Sequence, residues 1–374
     1  MRLSHQTLSL TAPRVASLAL SLLLLGFSAL FPTSIDARGI AVCVGLNNLD
    51  PRHYGGDGQL SACENDARDM ASIAGQTGFE TQILLTTNAT REAVTNQIYA
   101  AAKVLTNGDI FLITFSGHGG LMPNTNEVSG YDQTWCLFDG QLTDNELYKA
   151  WNQFAAGVRI LLFSDSCHSG TIYKMLFNGP RSSVDEARLG ALTANFVRMT
   201  RSPSPMMAFD VSKFLHAGSN ILSTARPSSL PDTTPTVVSN LVFRPQPAAI
   251  LYTHRVKSLS PIGLVETYEK HKDFYDAITS SSSVSTGQLA VSVLSFSACR
   301  DNELAFDGPT NSVFTAAVKK VWGTGFNQDY SRFYVEICCA ALAENYGQAA
   351  QMRIIDKPDD RYEAQRPFTI EAPN

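Results

Sequence analysis

Two glycine-rich segments hold the residues best suited to act together. FSGHGG sets His118 between Gly117 and Gly119, and FSDSCHSG sets Cys167 49 residues further on. A thiolate is a strong nucleophile, but an unassisted cysteine with a pKa of about 8.5 is mostly protonated at neutral pH. An imidazole beside it takes the proton on attack and returns it to the leaving amine. Backbone N–H groups next to the thiol can then hold the oxyanion. Each residue alone has a plainer explanation. A cysteine after a strand is more often a small core residue, and a histidine in a glycine turn is more often a hydrogen-bonded turn residue. Their occurrence together, in glycine-flanked turns that each follow a strand-like run, points to a nucleophile and its base. His168 is the rival base. Adjacent side chains in extended chain point to opposite faces, which argues against it.

The elements that must position this pair are legible as apolar runs. Gly39–Leu46, Phe79–Leu85, Asp109–Phe115, Val158–Ser164 and Leu289–Ser297 read as strands. Helical patterns fall over Leu60–Ala74, over Val94–Leu105 with Thr90 as N-cap, over Leu142–Phe154 and over Ser312–Trp322. Strands alternating with helices predict an α/β fold with a mostly parallel central sheet flanked by helices. His118 and Cys167 each lie just past a strand, where sites in such sheets gather. Between Gly170 and Gly287 the pattern weakens into Pro- and Ser-rich stretches, with one helical piece at Ile262–Ile278.

Composition excludes several classes. The 374 residues carry a formal charge of -5, and no Lys/Arg run marks a nucleic-acid or anionic membrane partner. Val15–Phe31 is an apolar run after Arg2 and Arg14, followed by a small-residue exit at Ala37. That is the anatomy of a secretory signal peptide. Strand-like sequence begins at Gly39, so a retained anchor would have no linker. The expectation is cleavage near Ala37 and a periplasmic or extracellular protein, with membrane contact only if the segment is kept. The seven cysteines include no CxxC and no Cys/His cluster with zinc spacing, and no metal ligand set is expected. Cys338 and Cys339 read as two small core residues. The division expected is 1–37 signal, 38–169 bearing the dyad, 170–288 insertion or linker, and 289–374 a second half.

SGHGG and DSCHSG, in this order, resemble the metacaspases and their bacterial relatives, the orthocaspases. IAVCVGLNN, LSACENDARDM, GYDQTWCLFDGQLTDNELY and SFSACRDNELAFDGPTNSVFTAAV are similar too; the insertion is not. The Q-A-C-x-G of animal caspases is replaced by DSCHSG. The resemblance implies the caspase-like (caspase-hemoglobinase) fold. It implies a dyad of His118 and Cys167, with the Gly119 and Cys167 N–H groups as oxyanion hole. It also implies an S1 pocket formed by Asp66, Asp165, Cys63 and Ser116. Two carboxylates select a cation, so the implied substrates are proteins or peptides with Arg or Lys at P1. Calcium-dependent metacaspases carry an acidic loop after the histidine. Here NEVSGYDQ (126–133) keeps Glu127 and Asp132 but has Asn126, Ser129 and Gln133 in place of acids, so a strong calcium site is not supported and no cofactor is expected. A monomer is expected. Any self-cleavage is expected in the insertion, after Lys174, Arg181, Arg188, Arg198, Arg201 or Arg226. The alternatives are a catalytically silent caspase-like adaptor and a legumain-like exported cysteine peptidase.

Overall fold

The computed structural model describes residues 36–124, 130–167, 255–281, 289–300, 303–344, 348–355 and 361–371. The expected signal segment lies almost wholly outside them, as do His168 and the six basic residues named for self-cleavage. From Arg38 onward the chain forms one compact unit.

Nine strands are described: β1 (Gly39–Gly45), β2 (Glu80–Leu85), β3 (Ile110–Ser116), β4 (Gly119–Pro123), β5 (Tyr131–Leu137), β6 (Gly140–Thr143), β7 (Arg159–Asp165), β8 (Ser292–Ser297) and β9 (Gln351–Ile355). The helices used below are α1 (Pro51–Tyr54), α2 (Cys63–Gln76), α3 (Arg91–Val104), α4 (Asp144–Trp151), α5 (Pro261–Lys270), α6 (Lys272–Ser281), α7 (Val313–Trp322) and α8 (Tyr330–Glu344). A six-stranded sheet runs in the order β2-β1-β3-β7-β8-β9, and β4-β5-β6 form a second sheet. Every pairing in the large sheet is parallel except β8 with β9. The α/β class expected from the alternation of runs is therefore what the chain adopts.

Every residue of β3 and β7 is buried, as central parallel strands covered on both faces must be. Alternate side chains feed two cores. Ala41, Cys43, Leu112, Leu161 and Phe163 face α2, α7 and α8. Val42, Val44, Phe111, Ile113 and Ile160 face α3, α4 and the small sheet. Thr90 caps α3, its side chain accepting from the Ala93 N–H at 3.1 Å. The helical piece in the insertion is two helices, α5 and α6, broken at His271. Cys338 is buried in α8 but Cys339 is exposed, which corrects the expectation that both are core. Cys338 lies with Phe333, Ile337 and Ala341 on the face that packs into the core, and Cys339, a further 100° round the helix, turns to solvent.

Candidate active site

β3 and β7 run parallel with Ser116 opposite Asp165. His118 and Cys167 each lie two residues beyond that matched pair, so the register delivers both to the same edge of the sheet. Both are buried. The turn after β3 leads straight into β4 at Gly119, which presses against the loop carrying Cys167. A Cβ built at Gly119 would sit 2.2 Å from the Cys167 carbonyl oxygen, so only glycine fits there.

The His118 ring is oriented by one clear contact. Its Nε2 lies 2.7 Å from the Gly58 carbonyl oxygen. A carbonyl only accepts, so Nε2 carries the proton and Nδ1 holds the lone pair. Nδ1 is buried with no hydrogen-bond partner, and the ring lies near the Ser258 backbone. Burial drives the imidazole down to about 4, against the upward pull of the Gly58 carbonyl. Burial likewise pushes the Cys167 thiol up to about 12, against hydrogen bonds at Ala305 and Ser258 and the nearby charge of Lys257. In this state the pair is thiol plus neutral imidazole, not an ion pair.

Asp66, Asp165, Cys63 and Ser116 are brought together around a buried lysine, Lys257, which sequence reading did not single out. Lys257 has no solvent exposure. Its Nζ lies 2.9 Å from Asp165 Oδ1 and 3.6 Å from Asp66 Oδ2. It donates to Ser116 Oγ at 2.7 Å and to Ser312 Oγ at 3.0 Å. Burial alone would lower its pKa; Asp165, Cys63 and Asp66 reverse the shift and hold the ammonium charged. Burial raises Asp66 to about 6; the Lys257 charge opposes that rise and the Asp165 charge adds to it. The Cys63 thiol is also raised by burial, with Lys257 pulling the other way.

The carboxylates are held by partners far away in sequence. Asp66 accepts from Ser116 Oγ at 2.7 Å, Asn311 Nδ2 at 3.0 Å and the Ser312 N–H at 3.1 Å. Asp165 Oδ2 accepts from Thr315 Oγ1 at 2.7 Å and the Thr315 N–H at 3.2 Å, and the Ser312 hydroxyl lies between both acids. Asn311, Ser312 and Thr315 sit at the start of α7. They belong to SFSACRDNELAFDGPTNSVFTAAV, a segment that carries the family likeness without marking these three residues.

A close approach places Asp66. A Cβ at Gly45 would meet the Cys63 carbonyl oxygen at 2.2 Å, so the end of β1 admits the first turn of α2 only because residue 45 is glycine. In the loop expected to be too poor in acids for calcium, Asp132 is buried, and its Oδ1 accepts from Asn124 and Asn145 side chains at 2.8 and 2.7 Å. Residues 125–129 are outside the described set. Among the described residues, no group of three or more His, Cys, Asp or Glu side chains is placed to hold a metal ion.

A helix-covered, mostly parallel sheet with a thiol and an imidazole at the carboxyl ends of adjacent strands defines a caspase-like protein. The chain belongs to the caspase-domain family of cysteine peptidases, whose family model matches residues 38–352. It is 29% identical over 155 residues to Metacaspase-1 of Mycosarcoma maydis, covering 37% of each chain. It is 30% identical over 148 residues to Metacaspase-1A of Aspergillus clavatus, covering 35% of this chain and 33% of that one. The matched segment thus spans about a third of these curated relatives. Among solved structures it is similar to protein GSU0716 of Geobacter sulfurreducens, with a TM-score of 0.65 and 33% identity over 90% of this chain and 100% of that one.

Proposed function

We propose that this chain is a cysteine endopeptidase that hydrolyses peptide bonds after Arg or Lys, with Cys167 as nucleophile and His118 as general base. What supports this most is a single juxtaposition. The Gly119 and Cys167 N–H groups converge on one carbonyl oxygen, that of Lys257, at 3.0 and 3.1 Å, while the same residue's ammonium fills the acidic pocket. A pocket that would hold a P1 cation in its charged form therefore lies beside two oxyanion donors and a thiol.

The chemistry follows from these positions. His118 Nδ1, unprotonated at neutral pH, takes the Cys167 proton as sulfur attacks the P1 carbonyl carbon. The N–H groups of Gly119 and Cys167 hold the oxyanion. The imidazolium then protonates the leaving amine, the C–N bond breaks, and water cleaves the resulting thioester. Neutral peptides lack the cation that Asp66 and Asp165 require, and acidic ones are repelled by them. A strong calcium site is not part of this reading.

Cys167→Ala and His118→Ala should each abolish hydrolysis of an Arg reporter peptide while leaving the far-UV circular dichroism and melting temperature near wild type. His168→Ala should be much milder. Normal turnover by Cys167→Ala would overturn the proposal, and equal loss in His168→Ala and His118→Ala would mean the base is misassigned.

A further inference from the structure

The segment that delivers Lys257 into the pocket is seated in the way a substrate would be. The Lys257 N–H donates to the Ala305 carbonyl at 2.9 Å, and the Asp307 N–H donates to the Arg255 carbonyl at 2.7 Å. Val256 bridges Phe306 in antiparallel sense, and Ser258 bridges Gly119 in parallel sense. Residues 255–258 thus lie as a short added strand in the cleft. This is β-augmentation, in which main-chain bonds fix the register and pockets read alternate side chains. The Val256 side chain is buried, and the Arg255 guanidinium donates to the Gln59 carbonyl at 2.7 Å.

Two features of Lys257 are independent of each other. Its side chain satisfies the two carboxylates, which a structural buried lysine could also do. Its main-chain carbonyl occupies the convergence point of the Gly119 and Cys167 N–H groups, which a structural lysine has no need to do. The first feature places a P1 cation; the second places a scissile carbonyl. The bond that follows is Lys257–Ser258, and the His118 ring stands against the Ser258 backbone.

We propose that Lys257–Ser258 is the protein's own cleavage site, with Arg255-Val256-Lys257 bound at P3–P1 and Ser258 at P1′. This deepens the proposed reading of the pocket and rests on it. Cys167 Sγ bonds to the Lys257 carbonyl carbon, and its proton passes to His118. The Lys257–Ser258 C–N bond breaks as His118 protonates the Ser258 nitrogen. Water then breaks the C–S bond, leaving a carboxylate at Lys257, a free amine at Ser258 and the thiol restored. None of Lys174, Arg181, Arg188, Arg198, Arg201 and Arg226 falls within the described residues, and Lys257 was not among them.

Until the bond is cut, the tethered segment holds the cleft at the high effective concentration of an intramolecular ligand, on the order of millimolar. An external peptide must displace it. Cys167 is covered and protonated in this state, so the uncut chain should turn over reporter peptide slowly. Self-cleavage within one molecule should proceed at a rate independent of protein concentration.

The test follows the full-length protein by intact mass and terminal sequencing, with and without added calcium, alongside hydrolysis of an Arg reporter peptide. A new N-terminus at Ser258, a new C-terminus at Lys257 and a lag in reporter hydrolysis that ends as the cut completes are expected. The lag should not shorten when the protein is concentrated tenfold. Lys257→Arg should still be cut at this bond, Lys257→Gln should not, and Cys167→Ala should stay whole. The wild-type termini decide the matter even if a variant folds poorly. Wild-type protein that hydrolyses the reporter while Lys257–Ser258 stays intact would overturn this inference and leave the pocket reading standing. Protein that hydrolyses no reporter and leaves this bond intact would overturn both.

Discussion

Asp66 and His118 are shifted in opposite directions by the same cause, burial, and the two shifts have separate consequences. His118, driven down to about 4, stays unprotonated across the neutral range, as the proposed base must. Asp66 at about 6 does not stay charged on mild acidification. A raised carboxylate pKa means that the group takes up its proton as pH falls through that value, and a neutral carboxyl no longer balances a P1 cation. Lys257 lowers the Asp66 pKa, so a pocket emptied of that cation should protonate at a higher pH still. The specificity constant kcat/KM for Arg peptides should therefore fall as pH drops from about 7 to 5, chiefly through KM. Asp66→Asn should cost about 10- to 100-fold at pH 7.5, on the order of 1.4–3 kcal/mol, and should flatten that limb. A wild-type profile without the limb, or an Asn variant that keeps it, would assign the titration to another group. The proposed dyad is legible because glycine turns and strand ends leave local marks. Asp66 and Asp165 were reached through family resemblance. Lys257 left no mark, being one basic residue in a weakly patterned insertion, 141 residues from Ser116 and 55 from Ser312.

At the scale of elements, the site is a consequence of register. Ser116 opposite Asp165 carries the two loops out side by side, and a one-residue slip would turn every side chain to the other face. Trp135 of β5 stacks on Phe115 at 4.7 Å and donates to Ser164 Oγ at 3.0 Å, which pins the small sheet against both strand ends. Gly119→Ala tests the closeness of this junction. The added methyl would collide with the Cys167 carbonyl, push the two loops apart and spoil the oxyanion geometry. At least a hundredfold loss in kcat is expected, with KM for Arg peptides changed little because the acids lie deeper. Wild-type kcat in that variant would show that the Gly119 N–H takes no part. The central strands were readable because burial on both faces leaves unbroken apolar runs. The start of α2 was not, because its free N–H groups are met from a distance. Glu64 N–H is accepted by the Asn47 side chain at 3.1 Å, and those of Ser61 and Ala62 by Asp307 at 2.6 and 3.1 Å. The three-stranded sheet has little sequence signature because GYDQTWCLFDGQL folds as a hairpin through one short turn rather than as a long alternating run.

At the scale of the whole molecule, the compact unit begins at Arg38, and β1 begins one residue later. We propose that the Arg-flanked apolar run before it directs export and is removed. Mature protein recovered from culture should start near Arg38 and partition with the periplasm or medium; intact Met1 in a membrane fraction would refute cleavage. The proposal that ties fold and site together is that the acids at the ends of α2 and β7 make this caspase-family chain read a basic P1. It is tested most directly by a fluorogenic peptide panel that varies P1 alone, run with self-processed wild-type protein and with Asp165→Asn. Arg and Lys peptides should be cleaved at least about a thousandfold faster than Asp peptides, a difference of roughly 4 kcal/mol in transition-state binding. Asp165→Asn should lose most of that rate while its thiol still reacts with a small neutral alkylator. Preferred cleavage after Asp, or unchanged Arg turnover in Asp165→Asn, would contradict the account.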